Sequence, residues 1–441
     1  MYKQMIWDVT SKCNLKCRHC YAAEKYDSPC RPNDLTTDQS KQMLEHVKLL
    51  GFKNVLLLGG EPLVRKDILE VISYARKIGL DIMINTNGTF LSPNMCYELL
   101  KRGVKEISVS FQGIAASTHD LVAGKGSFSP SLMGLKNLVA AKEMVDSDVL
   151  IGIQFTVTKP AKNEMDKLID FVLENKANGL SIGFLDDNGR AHNNFDDLFI
   201  SIPEYLNILE KITESLVKNS KYISSDFVFQ ISARQIVIKY LSHKYGVDIQ
   251  SNATGYLCAA GDCVTVIEND GTITPCGTAN NQRMSEKALK EKRYVLQKLS
   301  VFDYFTESEL MQTPFFSTFR KYKNESKKSN PTCKSCEYNE SCQVCPLLHD
   351  KEIDQCIEAG RRYDMYLATI LESFVQPIND KLFSVGHNVN ETTKDIIHQM
   401  LIGKKISEIV KFIADKYDIT HDIAKKDILE FHRILRINGI I

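Results

Sequence analysis

The chain reads as an α/β protein on parallel strands, a partial (β/α)6 barrel followed by a cysteine-rich segment and a small helical tail. Three observations carry this reading. Apolar runs of strand length recur at 4–10, 54–58, 80–85, 106–110, 149–158 and 179–185, with longer amphipathic stretches between most of them. Such alternation specifies parallel strands joined by right-handed crossovers. The 13 cysteines fall into groups, and beyond about residue 372 they give way to helical periodicity. The expected boundaries are 1–200 for the barrel, 201–250 for a helical linker, 251–365 for the cysteine-rich domain and 372–441 for the tail.

The first run leads into Cys13, Cys17 and Cys20, spaced C-x3-C-x2-C. Thr36-Thr37-Asp38-Gln39 is a capping-box pattern before a helix that puts Met43, Val47 and Leu50 on one face. Gly59-Gly60-Glu61-Pro62 follows the second run, and Asn85-Thr86-Asn87-Gly88 ends the third. Ser92-Pro93 opens a helix in which Cys96 shares a face with Leu99 and Leu100, which makes Cys96 a core residue. Ser108-Val109-Ser110 ends the fourth run, and Asn188-Gly189-Arg190 follows the sixth. In parallel α/β sheets the carboxyl ends of strands carry the chemistry, and these motifs all lie there.

At 441 residues and 43% hydrophobic content the chain can bury at least one large core. Its formal net charge is zero, so no global basic field recruits nucleic acid. The start, Met1-Tyr2-Lys3-Gln4-Met5-Ile6-Trp7, lacks the apolar core of a signal peptide, and no apolar run is long enough to span a bilayer. A cytoplasmic protein without membrane attachment is expected. Thiols stay reduced there, so grouped cysteines argue for metal rather than disulfides.

Three thiolates can hold a four-iron cluster and leave one iron open for a reactive molecule. The alternative for the triad is structural zinc, which wants four ligands and pairs of C-x2-C. Gly59-Gly60 lets backbone approach a ligand closely, and Glu61 offers a carboxylate to a cationic amine; alone, the motif also suits a plain strand-to-helix turn. Together, Cys13-Asn14-Leu15-Lys16-Cys17-Arg18-His19-Cys20-Tyr21 and Gly59-Gly60-Glu61-Pro62 resemble the radical S-adenosylmethionine (SAM) superfamily. The resemblance implies that Gly59, Gly60, Glu61 and Pro62 receive the methionine amine of SAM and that the backbone of His19 lies near the adenine. It implies ribose-binding positions at Asn87 and Ser110. Two departures bear on the SAM carboxylate: Ala123 stands where the family often has arginine, and Gln112 replaces a common aspartate. Lys125 or Arg190 would supply the missing charge; either also reads as a solvated surface cation.

Eight more cysteines lie between Tyr256 and Cys356. The pattern from Cys258 through Gly271 to Cys276, then C-x2-C-x5-C and a late cysteine, resembles the SPASM domain, the auxiliary-cluster module of radical SAM peptide-modifying enzymes. The resemblance implies two further four-iron clusters, three in all. Cys258, Cys263, Cys276 and Cys345 are assigned to the first auxiliary cluster, and Cys333, Cys336, Cys342 and Cys356 to the second. Cys333-x2-Cys336 and Cys342-x2-Cys345 alone would equally suit zinc. Cys30, in a polar loop, reads as a spare thiol.

In the tail, Phe383-Ser384-Val385 reads as a short strand, and 391–397, 406–417 and 423–437 as helices. This resembles the PqqD-like recognition element of peptide-modifying systems, a winged-helix-like module that pairs a leader peptide beside a strand. A structural cap or a DNA-reading helix-turn-helix has the same periodicity. The whole implies a radical SAM oxidoreductase that matures a ribosomally made peptide by 5′-deoxyadenosyl-radical hydrogen abstraction and a thioether or carbon–carbon crosslink. Its expected partners are a precursor peptide with a leader and a ferredoxin- or flavodoxin-type electron donor. The alternatives are a formylglycine-forming sulfatase maturase, a heme-pathway SPASM enzyme and, outside enzymes, a zinc-bound regulator. The first is disfavoured because Gly277 and Thr278 follow Cys276 where that family places an aspartate base.

Overall fold

The structure, a computed structural model, describes residues 3–27, 33–185, 187–247, 249–251, 260–279, 286, 289–325, 333, 354, 356–363, 365–366, 390–402 and 404–437. The chain divides into two compact units, Met1–Ile357 and Glu358–Ile441.

In the first unit, the six expected strands form β1 (Gln4–Asp8), β2 (Asn54–Leu58), β3 (Asp81–Thr86), β4 (Glu106–Phe111), β5 (Leu150–Thr156) and β6 (Gly179–Gly183). They lie in sequence order, all parallel, with registers such as Gln4 opposite Asn54 and Glu106 opposite Leu150. The α/β partial barrel is therefore present. Ile82, Met83 and Ile84 are buried in succession in β3, as are Ile107, Ser108 and Val109 in β4. Continuous burial of this kind belongs to parallel strands covered on both faces. Thr36 makes its capping box with Gln39, Ser92 caps its helix through the Met95 N–H, and Cys96 is fully buried. Burial pushes the Cys96 thiol up to about 12.

The sheet is wider than six strands. The stretch expected as a helical linker, 201–250, holds the helices Ile202–Lys218 and Gln235–Tyr245, but also β7 (Val228–Ile231), which pairs with β6. Next to it lies β8 (Gln250–Ser251). At the opposite edge β9 (Val264–Ile267) runs parallel to β1, and β10 (Ile273–Thr274) folds back antiparallel on β9. A six-residue run is easily read as strand, whereas Val-Phe-Gln-Ile between two long helices carries too short a pattern to declare itself.

The second unit contains the helices Glu391–Leu401, Ile406–Tyr417 and His421–Ile437. Asn390 caps the first through the Thr393 N–H at 2.9 Å. Ile396, Ile397, Ile409, Ile413, Ala424 and Ile428 belong to one buried cluster, as their periodicity requires. The expected strand at 383–385 lies outside the described residues. Among the described residues no helix is long and apolar enough to cross a membrane.

Candidate active site

A cavity of about 750 Å³ opens at the carboxyl ends of β1 to β5, a size typical of small-molecule sites. Cys13, Cys17, His19, Cys20, Gly59, Gly60, Glu61, Asn87, Ser110 and Arg190 all line it. Pro62 lies just behind, at the start of the short turn Pro62–Val64. Lys125 is exposed and is not part of the wall.

The cysteine loop is held by backbone contacts on several sides. Gly60 N–H donates to Thr10 O and Glu61 N–H to Lys12 O, both at 2.8 Å. A Cβ at Gly60 would come within 2.0 Å of Lys12 O, and one at Gly59 within 2.5 Å of Thr10 O. The missing side chains thus make room for the protein's own loop. On the far side Arg190 N–H donates to Cys20 O at 3.0 Å, and Arg190 Nε donates to Cys17 O at 2.8 Å. The neighbouring Gly189, at φ +53°, packs where a Cβ would meet Cys20 O at 2.3 Å. Arg18 N–H donates to Val122 O at 2.7 Å, and its guanidinium reaches Asn194 and Asp197. Asn87 Nδ2 donates to Asn14 Oδ1 at 2.9 Å, tying the loop to the end of β3.

Arg190, expected as a cation for a ligand carboxylate, also forms an ion pair with Asp27. Glu61 is 1% exposed. Burial raises its pKa, against the donors Asn87 N–H (2.8 Å), Thr86 Oγ1 (2.7 Å) and Leu63 N–H (3.1 Å). Burial, then the neighbouring Cys20 and Cys13, pushes the Cys17 thiol up to about 12; Cys13 and Cys20 are also raised, burial first. Burial and then the charges of His119 and Arg190 bring His19 down to about 4.

Residues beyond the expected set complete the cavity. Gln112, in the sequence only a departure from a common aspartate, lines it, as does His119. Gln154 and Thr156 do so from alternate positions of β5; their spacing at a strand's carboxyl end was the available signal.

Of the auxiliary set, Cys258, Cys336, Cys342 and Cys345 lie outside the described residues, as does Cys30. Cys263 is buried immediately before β9, and Cys276 follows β10 by two residues. The hairpin register, Ile273 opposite Ile267 and Thr274 opposite Val266, brings these two cysteines to the same end. Gln4 N–H donates to Cys263 O at 2.8 Å. Cys263 therefore sits beside the amino end of β1 while Cys13 follows its carboxyl end, roughly 16 Å of strand away at about 3.3 Å per residue. Asp262 next to it is bonded by Arg320 Nε at 2.9 Å and by the buried Lys323 Nζ at 2.6 Å. Cys333 and Cys356 are half-buried.

A fold of parallel strands with a three-cysteine loop over the end of β1 defines a class of cluster-bearing enzymes, and comparison with known proteins agrees. Residues 7–154 match the model of the radical SAM superfamily. The AdoMet-dependent heme synthase of Methanosarcina barkeri is 31% identical over 62% of this chain and 75% of its own. The mycofactocin maturase MftC of Mycolicibacterium smegmatis is 27% identical over 62% of this chain and 63% of its own. In fold, the chain is similar to Streptococcus suis SuiB bound to the precursor peptide SuiA, with a TM-score of 0.59 and 17% identity over 78% of this chain and 72% of that one. The chain belongs to the radical SAM superfamily and is an enzyme of that class.

Membership implies a four-iron cluster and SAM, and the residues present fit both. The three thiols line one cavity, where burial outweighs the Arg190 charge and favours their protonated form; bound iron would reverse that preference. Among the described residues no three His, Cys, Asp or Glu side chains converge as the ligands of a single metal ion do. A cluster spreads its thiolates more widely than a single ion. The cavity extends from the cysteine loop across the polar ends of β3, β4 and β5, which leaves space for an elongated, polar ligand.

Proposed function

We propose that this enzyme matures a ribosomally made peptide, forming a thioether or carbon–carbon crosslink, with two auxiliary four-iron clusters beside the SAM cluster. The observation that carries the reading is the three-thiol loop on a wide cavity in a chain that continues into eight further cysteines and a separate helical unit. SAM bound at the open iron of such a cluster supplies hydrogen abstraction. Cys13, Cys17 and Cys20 would hold the iron; Glu61, Asn87 and Arg190 fix the loop that presents it. The ends of β3 to β5 line the space for SAM and substrate. Cys263 and Cys276, brought to the same end by the β9–β10 hairpin, would hold part of the first auxiliary cluster, which would supply an acceptor for the second electron when a crosslink forms with loss of two hydrogens. The tail, residues 372–441, binds the leader of the precursor, and a ferredoxin- or flavodoxin-type protein donates electrons. SuiB bound to its precursor peptide, and the maturase MftC, support a peptide partner. A heme-pathway reaction is the second reading, favoured by the 31% identity to a heme synthase.

Anaerobically reconstituted enzyme with SAM, a reductant and a candidate precursor peptide drawn from short reading frames near the gene should yield a peptide lighter by two hydrogens. It should leave an iron tetrapyrrole unchanged. Removal of residues after about 372 should keep cluster content and peptide-independent SAM cleavage but weaken binding of the intact precursor, since a leader-binding unit contributes remote affinity. Conversion of the tetrapyrrole instead of the peptide overturns the first reading in favour of the second. SAM cleavage surviving replacement of Cys13, Cys17 and Cys20 with Ala overturns both.

A further inference from the structure

The backbone that leads into Cys13 has a second anchor besides the Gly59–Gly60 turn. Asp34 Oδ2 accepts the Thr10 hydroxyl at 2.6 Å, and Asp34 Oδ1 accepts the Ser11 N–H at 2.9 Å. The same Oδ1 accepts Asn269 Nδ2 at 3.0 Å, from a residue 235 positions away that lies just beyond β9. One carboxylate oxygen thus joins the start of the cysteine loop to the turn of the β9–β10 hairpin. Thr10 Oγ1 extends the contact by accepting the Lys12 N–H at 3.1 Å, next to Cys13. The backbone repeats the link: Leu35 N–H donates to Asn269 O at 2.8 Å, and Arg65 Nη2 donates to Leu35 O at 3.0 Å. A Cβ at Gly271, in the hairpin turn, would come within 3.5 Å of Leu35 Cδ2, so the turn packs directly on this segment.

Thr10, Ser11 and Asn269 are all buried, so loss of the carboxylate leaves three sheltered donors short of an acceptor. Bonds to an ionised acceptor are also about twice as strong as neutral ones. Asp34, Thr10 and Asn269 lie outside the cavity wall, so they act on the site only through the loop. We propose that Asp34 is a positioning residue through which the β9–β10 hairpin sets the geometry of the cysteine loop. The hairpin lies between Cys263 and Cys276, and the packing of that segment is therefore felt at Cys13 through one side chain. The inference rests on Cys13, Cys17 and Cys20 holding iron, as read above; it needs neither a peptide nor an auxiliary cluster.

Two readouts on the full chain test this. The first is amide hydrogen exchange of segment 9–13 in the iron-free protein. Asp34→Ala should speed it about tenfold, the equivalent of ~1.4 kcal/mol, and Asn269→Ala about threefold. Asn269→Ala should add nothing once Asp34 is Ala, because the shared acceptor is already gone. The second readout is the change that SAM makes in the EPR spectrum of the reconstituted, reduced protein. Only an iron left open by three thiolates can take SAM, so this change reports the Cys13, Cys17 and Cys20 site alone. Asp34→Ala should alter it and lose it to a chelator about tenfold faster. Asp34→Asn keeps an oxygen for Ser11 and Asn269 but not the acceptor for Thr10, and should fall between Asp34→Ala and wild type. Leu138→Ala, a cavity-forming change elsewhere in the barrel core, should lower thermal stability without moving either readout. Exchange in Asp34→Ala within twofold of wild type, or an Asn269→Ala effect that adds to it undiminished, overturns the assignment. If Asn269→Ala fails to fold, the graded series from wild type through Asp34→Asn to Asp34→Ala decides. A wild type without any SAM-responsive signal overturns the iron reading instead, and exchange on the iron-free chain still decides the role of Asp34.

Discussion

Two glycine turns at nearby strand ends, Gly59-Gly60 after β2 and Gly113 after β4, differ in what their missing side chains make possible. After β2 the space is taken by backbone: Thr10 and Lys12 accept hydrogen bonds from the turn, and the adjoining Glu61 receives three donors from its own chain. After β4 the space admits a helix whose His119, like the adjoining Gln112, is buried with a polar atom that no hydrogen bond meets. The first turn is internally satisfied and positions the cysteine loop. The second leaves two buried polar atoms without a hydrogen bond. A glycine motif therefore does not reveal by itself whether a ligand or the protein fills the space it leaves.

The sharpest way to break this comparison is Gly60→Ala. Its new Cβ meets backbone at 2.0 Å, which cannot swing aside as a side chain can. A loss of about 3 kcal/mol in stability is expected, at the upper end for overpacking, with a fall in iron content from displacement of the cysteine loop. Gly113→Ala should retain the iron while disturbing His119. Iron analysis and thermal unfolding of the two variants check this; equal iron loss in both would erase the distinction.

Arg190→Ala should have a smaller effect. It removes the charged donor to Cys17 O and the ion pair with Asp27, while the loop's other anchors remain. At about 1.5 kcal/mol for a charge-assisted bond, iron should leave to a chelator roughly tenfold faster than from wild type. An unchanged release rate would remove Arg190 from the clamp.

The smallest expected effect lies behind the first turn. Arg65 donates to Val9 O at 2.8 Å and pairs with Asp67, bracing the end of β1. Hydrogen bonds from Arg65 first, and from Thr37 after the counteracting burial, lower Asp67 from 3.8 to about 2. A carboxylate depressed in the folded state stabilises above its unfolded pKa, and that contribution is lost as pH falls from about 4 toward 2. Asp67→Asn should thus cost ~1 kcal/mol at neutral pH and converge with wild type in acid. Denaturant titrations at pH 7 and near pH 3 check the sign; a gap that widens in acid would contradict it.

Much of this was legible in the sequence. Six strands, the helix caps at Thr36 and Ser92, the burial of Cys96, the cysteine loop and the Gly59–Pro62 turn all follow from patterns completed within a few neighbouring residues, which is the range over which periodicity, capping and ligand spacing act. The tertiary structure alone decided the rest. It added β7 and β8 at one edge of the sheet and the β9–β10 hairpin at the other, turned Arg190 inward onto Cys17, and filled the space beside Gly60 with Lys12. It left Gln112 Oε1 and His119 Nε2 buried without hydrogen-bond partners. These outcomes depend on which backbone arrives next to which side chain after the strands pair. Whether a polar atom is satisfied is therefore a property of the packed chain, and no local run of residues contains it.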